Sequence, residues 1–175
     1  MAAAPSLPPV TVEEYLDGGL WAEFEYEDGV LVPRNSGARD HARMVAHLCQ
    51  WLGSYRAHVT AYAALVLSIS WKASYRVPDV CCYPADIEPG ETLENQPPPL
   101  AIFEVLSKTD WMSEIQEKCD EYTRLGVAHI FIVDPHRRAV LAPQGGGLPA
   151  IESAIGFSCG EETISIAFSD LFKGF

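Results

Sequence analysis

The segment Leu100-Ala-Ile-Phe-Glu-Val-Leu106 constrains the fold more than any other part of the sequence. Six of its seven residues are apolar, so it predicts a short strand that is buried on both faces. Such a strand is typical of the central sheet of an α/β domain. Glu104 interrupts the run, and an unpaired carboxylate at that position would cost several kcal/mol. We therefore expect Glu104 to lie in a buried salt bridge, to lie at a strand end, or to bind a cation.

The length of 175 residues fits one domain that is large enough to bury a core. We expect a short disordered leader over residues 1–9, where the residues are small and include proline, and a single domain over residues 10–175. No apolar run approaches the roughly 20 residues that a membrane span requires. The leader also lacks the basic and apolar regions of a signal peptide. These features predict a cytoplasmic protein with no membrane partner.

The net charge of −12 limits the kinds of nucleic-acid binding that are open to this chain. Contacts between phosphates and basic side chains normally dominate such binding, so a broad nucleic-acid surface is not expected. Any role on nucleic acid must rest on a local site and a metal ion. The five cysteines lack the spacing of a zinc site, and we expect reduced, mostly buried thiols.

Local patterns predict helices and strands in a mixed order. Three segments have the signals of helices: a capping box at Thr11–Glu14, an amphipathic repeat of about five turns from Arg39, and Thr109–Leu125 before the stop residue Gly126. Strands are predicted for a hairpin around Asp28-Gly29, for residues 59–69, 76–83, 100–106, 129–133 and 139–142, and for two segments of the tail, which ends in a helical turn near Phe172. Residues 84–99 are rich in proline and should form a surface loop.

A register argument brings Asp79 close to Glu104. If the two strands that contain them are antiparallel neighbours, one plausible register pairs Tyr83 with Leu100. The same register places Asp79 opposite Glu104, with Cβ atoms about 5 Å apart on one face of the sheet. Two carboxylates at that distance repel each other, and a bound cation is the usual remedy. The pair therefore predicts a cation site at one end of the sheet.

Lys118 is the third residue of the predicted site. It lies about nine residues into the predicted helix, or about 13 Å along its axis, on the same side as Ile115 and Tyr122. An extended lysine on the side that faces the sheet could reach the two carboxylates, although a single helical lysine is more often solvated. Lys108 is a rival, because it follows Glu104 by four residues and would share its face if the strand continued.

Taken in order, these pieces resemble the Uma-two (Uma2) family of restriction endonucleases, within the PD-(D/E)XK nuclease superfamily. The likeness runs from about residue 10 to 142 and rests on seven short pieces: Thr11–Leu16, Phe24–Gly29, His41 with Val45 and Leu48, Val77–Asp79, Phe103–Ser107, Asp110 with Lys118, Tyr122 and Gly126-Val127, and Ile132–Pro135. The resemblance implies an α/β restriction-endonuclease-like core, in which a mixed central sheet is flanked by helices. Leu106 occupies the usual lysine position of the superfamily, so the resemblance implies that the lysine has moved to the helix.

The resemblance also implies roles for individual residues. Asp79 and Glu104 would bind a divalent cation together with the carbonyl of Val105, and Glu25 could complete the shell. Lys118 would position or polarise the attacking water and steady the developing negative charge. Oxygen ligands favour Mg²⁺ or Mn²⁺ over zinc, and such an ion lowers the pKa of bound water.

Three functions stay open at this point. The leading prediction is a magnesium-dependent endonuclease that hydrolyses nucleic-acid phosphodiester bonds, with DNA as the expected substrate and a homodimer expected by analogy. The alternative is a catalytically silent interaction module of the same fold, which the net charge favours. A third reading is a small-molecule phosphate hydrolase. His41 is interpreted as a cap or packing residue, and Lys72, Arg43 and Arg76 either guide a phosphate backbone or pair with surface carboxylates.

Overall fold

A computed structural model describes residues 9–34, 39–90 and 96–175 of the chain. The predicted leader over residues 1–9 lies outside these ranges apart from Pro9. The helices are α1 Val12–Asp17, α2 Arg39–Gly53, α3 Met112–Leu125 and α4 Phe168–Leu171, with a 3₁₀ turn at Leu20–Ala22. The strands are β1 Phe24–Glu27, β2 Val30–Pro33, β3 Val59–Ala63, β4 Leu67–Ile69, β5 Ser74–Arg76, β6 Val80–Pro84, β7 Ala101–Val105, β8 His129–Asp134, β9 Ala139–Leu141, β10 Ala154–Cys159 and β11 Glu162–Ala167.

The central sheet has five strands in the order β3-β6-β7-β8-β9. Strands β7 and β8 are parallel and are joined by α3, whereas the other neighbouring pairs are antiparallel. A second sheet has the order β2-β1-β5-β4, and β10 pairs with β11 in a hairpin. The predicted α/β class with a mixed central sheet is therefore confirmed. Within the described ranges, no helix has the length and apolar character needed to cross a bilayer.

Strand β7 separates two apolar layers. Phe103 packs in the layer that contains Leu48 of α2, and the β10–β11 hairpin contributes to the same layer. Ile102 packs in the layer that contains Tyr122 of α3. Because side chains alternate between the faces of a strand, Glu104 faces the α3 layer together with Ile102. The sheet is thus flanked by helices on both sides, as predicted, and the one charged residue of β7 lies under α3.

Several local predictions are confirmed by the backbone. Thr11 and Glu14 form both hydrogen bonds of a capping box at the start of α1. The β1–β2 turn has positive φ at Asp28 and at Gly29, 46° and 92°, as a two-residue hairpin turn of the predicted type requires. Helix α3 ends at Gly126, whose φ of 93° lies in the left-handed region that favours glycine.

Two segments that were predicted as single strands are each divided between two strands in the structure. The segment 59–69 divides into β3 and β4 at Ala64, whose φ of 55° turns the chain from the central sheet into the second sheet. The segment 76–83 divides into β5 and β6 because Pro78 lacks the N–H group that a continuous ladder would need. In both cases an unbroken β-rich pattern in the sequence continues across a change of sheet, and the pattern alone does not reveal that change.

The two long helices also differ from their predicted bounds. Helix α2 ends at Gly53, so it has about four turns and not five. Helix α3 begins at Met112 and not at Thr109, because the Asp110 carboxylate accepts hydrogen bonds from the Ser107 backbone N–H and hydroxyl at 2.7 and 2.9 Å. These bonds fold residues 107–110 into a turn.

Candidate active site

A cavity of about 330 Å³ lies between the β1–β2 hairpin, the ends of β5 and β7, and the start of α3. All five residues of the predicted site line it: Glu25, Asp79, Glu104, Val105 and Lys118. The other lining residues are Glu27, Val32, Pro33, Arg34, His41, Arg76, Val77, Asp110, Glu114, Ile115 and Glu117. The structure therefore brings together every residue that the sequence analysis placed in the site.

Asp79 directly precedes β6 and is held in place by the neighbouring strand β7. The observed register of β6 and β7 pairs Val80 with Phe103, which is the register predicted from the sequence. Asp79 precedes β6 and so lies one step beyond this pair, towards Glu104. Its Oδ2 atom accepts a hydrogen bond from the Val105 backbone N–H at 2.8 Å. This bond fixes the carboxylate against β7, the strand that carries Glu104.

His41 and Arg34 complete the surroundings of Asp79. The Nε2 atom of His41 lies 3.0 Å from Asp79 Oδ2, and Nη2 of Arg34 lies 3.6 Å from Asp79 Oδ1. Burial alone would lower the pKa of His41, but the hydrogen bond and the negative charge of Asp79 raise it above its ordinary value. A cap or packing role was predicted for His41, whereas its imidazole lies in contact with Asp79, a predicted site residue.

Arg34 was missed in the sequence analysis. It directly follows β2, and its Nη1 atom donates to the Ala22 carbonyl at 3.2 Å, which orients the guanidinium towards the cavity. A signal was present, because a basic residue at the end of a hairpin that carries Glu25 is well placed to share a site with it.

Glu104 is buried in β7, with 5% of its surface exposed. Its Oε1 atom accepts a hydrogen bond from the Tyr122 hydroxyl at 2.6 Å. No lysine or arginine of the described residues lies within 4 Å of it, so the expected alternative of a buried salt bridge is not what the structure contains. Burial raises the pKa of Glu104 to about 7; the charges of Asp79 and Glu25 add to this effect, and that of Lys118 opposes it.

Lys118 reaches the cavity from α3. Its Nζ atom donates a hydrogen bond to Glu25 Oε1 at 3.0 Å. Burial alone would lower the pKa of Lys118, but the negative charges of Glu104 and Glu25 raise it above its ordinary value. Lys108 is exposed and does not line the cavity. It would share the face of Glu104 only if the strand continued to residue 108, but β7 ends at Val105.

Glu25 is bound on both of its oxygens by groups of the protein. Oε1 also accepts from the Val77 backbone N–H at 3.1 Å, and Oε2 accepts from Arg76 Nη1 at 3.1 Å. The contact with Arg76 follows from the sheet, because β1 and β5 pair Tyr26 with Tyr75 and the next position places Glu25 opposite Arg76. Burial would raise the pKa of Glu25, but Lys118 and Arg76 lower it below its ordinary value.

Arg76 belongs to a chain of ion pairs behind the cavity. Its Nε atom donates to Glu121 Oε2 at 2.7 Å, and its Nη1 atom also contacts the Glu27 carboxylate. Lys72 Nζ donates to Glu121 at 2.7 Å and to Glu117 at 2.6 Å. Arg76 and Lys72 therefore pair with carboxylates, but two partners of Arg76, Glu25 and Glu121, are buried and are not the surface carboxylates that were predicted. Arg43 lies over the Phe175 ring, 4.6 Å from its centroid, and does not line the cavity.

The donor set fits a hard divalent cation with an incomplete protein shell. No group of three or more His, Cys, Asp or Glu side chains in the described part of the chain has the arrangement of a metal site. Asp79 and Glu104 nevertheless share the cavity, and Glu104 Oε2 accepts no hydrogen bond from any described residue. Magnesium is commonly bound through one or two carboxylates and keeps several waters. The residues present fit Mg²⁺ or Mn²⁺ and do not fit a closed zinc site.

Comparisons with known proteins bear on the family and on the fold. The model of the Uma2 family, described as "Putative restriction endonuclease", matches residues 12–147. A solved structure, that of a putative nuclease belonging to DUF820 from Anabaena variabilis, matches 94% of this chain and 98% of its own, with a TM-score of 0.75 and 16% sequence identity. At that identity the likeness shows a common fold. A search of curated proteins found no match. Because the family model spans well over half of the sequence, the chain belongs to the Uma2 family.

Proposed function

We propose that the protein is a divalent-metal-dependent nuclease that hydrolyses phosphodiester bonds of DNA in the cavity around Asp79 and Glu104. The observation that carries the proposal is Glu104, a buried carboxylate with a pKa raised to about 7 and with no basic group of the described residues within ion-pair distance. A buried carboxylate without a basic partner destabilises the fold, so its presence calls for a functional explanation. Carboxylates with strongly perturbed pKa values cluster at functional sites. The nuclease-like fold and the family support the same reaction class.

The charge of the cavity explains why a cation is needed. Seven carboxylates and three basic side chains line it, so a phosphate group would be repelled from the protein alone. Asp79 and Glu104 would hold the ion, with the Val105 carbonyl. When bound, Mg²⁺ or Mn²⁺ lowers the pKa of water and neutralises negative charge on the phosphate.

Lys118 contributes a fixed positive charge beside the two carboxylates. Because Glu104 and Glu25 raise its pKa, it stays an ammonium group at neutral pH and cannot accept a proton. We therefore assign it to orienting the attacking water as a hydrogen-bond donor and to stabilising negative charge that develops on the phosphate. Glu25 would act through Lys118, because its two oxygens are already bound by Lys118, Val77 and Arg76.

His41 and Arg34 orient Asp79 in this scheme. The contact from His41 Nε2 and the hydrogen bond from the Val105 N–H both fall on Oδ2, which fixes the plane of the carboxylate. Arg34 lies on the side of Oδ1, where it can also contact a phosphate oxygen. We further propose a cytoplasmic homodimer with one catalytic domain per chain, which the small size and the superfamily analogy support.

The test is cleavage of end-labelled DNA and RNA, single-stranded and duplex, with Mg²⁺, with Mn²⁺ and with a chelator. We expect metal-dependent cleavage of DNA that falls at least about a hundredfold in Asp79→Asn and Glu104→Gln. Glu161→Gln, at an exposed turn far along the chain from the site, is the matched control and should retain full activity. Calorimetric titration with Mn²⁺ should show binding that both site variants weaken and the control does not.

A second function is favoured by the net charge of −12. If no nucleic acid is cleaved with either metal and Mn²⁺ does not bind, the nuclease proposal is wrong and a catalytically silent interaction module becomes the better account. Cleavage of a chromogenic phosphodiester without any binding of DNA or RNA would instead indicate a small-molecule hydrolase.

A further inference from the structure

Trp111 is a large apolar side chain that stands exposed beside the candidate active site. Its exposed fraction is 71%, whereas Trp51 is 9% exposed and Trp21 and Trp71 are half-buried. It directly precedes α3, and the next residue, Met112, is also exposed at 42%. An indole ring that gains nothing from the core is unusual among the tryptophans of this chain and requires a separate explanation.

The backbone that carries this ring is held firmly. The Trp111 carbonyl accepts hydrogen bonds from the backbone N–H groups of Glu114 and Ile115 at 3.0 and 3.2 Å. The preceding residue, Asp110, is bonded through its carboxylate to Ser107. Asp110, Glu114 and Ile115 line the cavity, whereas Trp111 does not, so Trp111 lies beside the cavity and outside its lining. The ring is therefore presented to solvent from a fixed base next to the cavity.

The charge of the protein restricts what can bind beside the cavity. Nucleic acid can be held through its phosphates by basic side chains, or through its bases by stacking on aromatic rings. Binding through the phosphates is weak here, because the chain has a net charge of −12 and the basic residues of the cavity are paired with carboxylates. Binding through stacking needs a base whose face is free. In a continuous duplex that face is covered by neighbouring base pairs.

We propose that Trp111 is a stacking platform for an unpaired nucleobase next to the phosphodiester that enters the cavity. The substrate class is then single-stranded nucleic acid, and continuous duplex is a poor substrate. This inference rests on the proposed nuclease function for its cleavage readout, but the binding that it predicts can be measured without cleavage.

The test compares wild type with Trp111→Ala, Trp111→Phe and the matched control Met112→Ala. The probes are a labelled single-stranded oligonucleotide, its duplex, and a strand of the same length with abasic sites, each measured by fluorescence anisotropy and by cleavage rate. We expect Trp111→Ala to weaken binding of the base-bearing strand, and to lower its kcat/KM, about tenfold. Trp111→Phe should lose less, Met112→Ala should change little, and binding of the abasic strand should be the same in all four proteins.

Two kinds of result would overturn the inference. One is an equal effect of Trp111→Ala on the base-bearing and abasic strands, or no effect on either. The other is a change of oligomeric state in Trp111→Ala by sedimentation, which would assign the ring to contact with a second copy of the chain. If wild type binds the base-bearing strand through Trp111 but cleaves nothing, the nuclease proposal fails and the stacking platform stands.

Discussion

Replacing Arg76 with methionine would remove positive charge from the most buried part of the ion-pair chain. Its side chain is 4% exposed and contacts Glu25, Glu27 and Glu121. Removing one partner of a buried ion pair costs about 3–5 kcal/mol, because the remaining charge is left without compensation. Two of the three carboxylates are buried, whereas Glu27 is 39% exposed and should contribute less than about 1 kcal/mol.

The remaining lysines reduce this loss. Lys118 still contacts Glu25 and Lys72 still contacts Glu121, so neither carboxylate is left wholly unpaired. Methionine also fills most of the space of the arginine stem, which limits the cavity that is left. We therefore expect Arg76→Met to lower the free energy of unfolding by about 3 kcal/mol, at the lower end of the range.

The assay is unfolding in urea at pH 7, followed by tryptophan fluorescence, because urea does not screen charges as a salt does. Arg124→Met is the matched control. Its guanidinium lies 4.3 Å from the centroid of the Trp71 ring, and loss of a cation–π contact of this kind costs about 0.5–1 kcal/mol. Arg76→Lys keeps the charge but not the forked geometry and should lie between wild type and Arg76→Met.

If Arg76→Met lowers the free energy of unfolding no more than Arg124→Met does, the buried ion pairs of Arg76 do not stabilise the fold as proposed. A second check uses pH. Without Arg76, the buried carboxyl of Glu25 should take up a proton more readily, since Arg76 lowers its pKa together with Lys118 and the Val77 N–H. The gap in stability between wild type and Arg76→Met should then narrow as the pH falls from 7 to 5, and a gap that widens would contradict the assignment.

Two further predictions concern the cavity. Lys118→Met should lower the rate of DNA cleavage at least about a hundredfold while Mn²⁺ binding by calorimetry changes only a few-fold, and the exposed control Lys108→Met should cleave at the wild-type rate. Glu104 has a pKa of about 7 in the folded protein against 4.5 ordinarily, so the folded state binds its proton more tightly and the metal-free protein should lose stability as the pH rises from about 4.5 to 7. Glu104→Gln should therefore melt several degrees above metal-free wild type at pH 8 and close to it at pH 5, by circular dichroism, and an equal difference at both pH values would contradict the raised pKa.

Features that depend on neighbouring residues could be predicted from the sequence. The capping box of α1, the β1–β2 turn and the end of α3 each depend on side chains within a few positions of one another. The β6–β7 register is the one that the sequence made plausible, although the two strands lie some 20 residues apart. A slip by one residue would move Glu104 from the α3 face to the opposite face of β7.

Features that depend on the path of the chain could not be predicted in this way. His41 lies 38 positions from Asp79, and Arg76 lies 45 positions from Glu121. Neither pair has a local signature, since a histidine or glutamate in a helix is equally compatible with solvent. The breaks at Ala64 and Pro78 have the same origin. Each occurs where the chain leaves one sheet for another, and only the packed structure shows which sheet a β-rich segment joins.

Glu104 links the stability of this fold to its proposed function. Glu104 lies one residue before the end of β7, a strand that is buried on both faces, and the Tyr122 hydroxyl binds only one of its oxygens. Lys118 lies near enough to oppose the rise in its pKa, but Lys118 donates its hydrogen bond to Glu25. The Arg76 network thus holds Glu25, Glu25 holds Lys118, and Glu104 is left with an oxygen that no described residue binds. A core that satisfied Glu104 completely would be more stable and would leave no place for a cation, which is why we assign its cost to function.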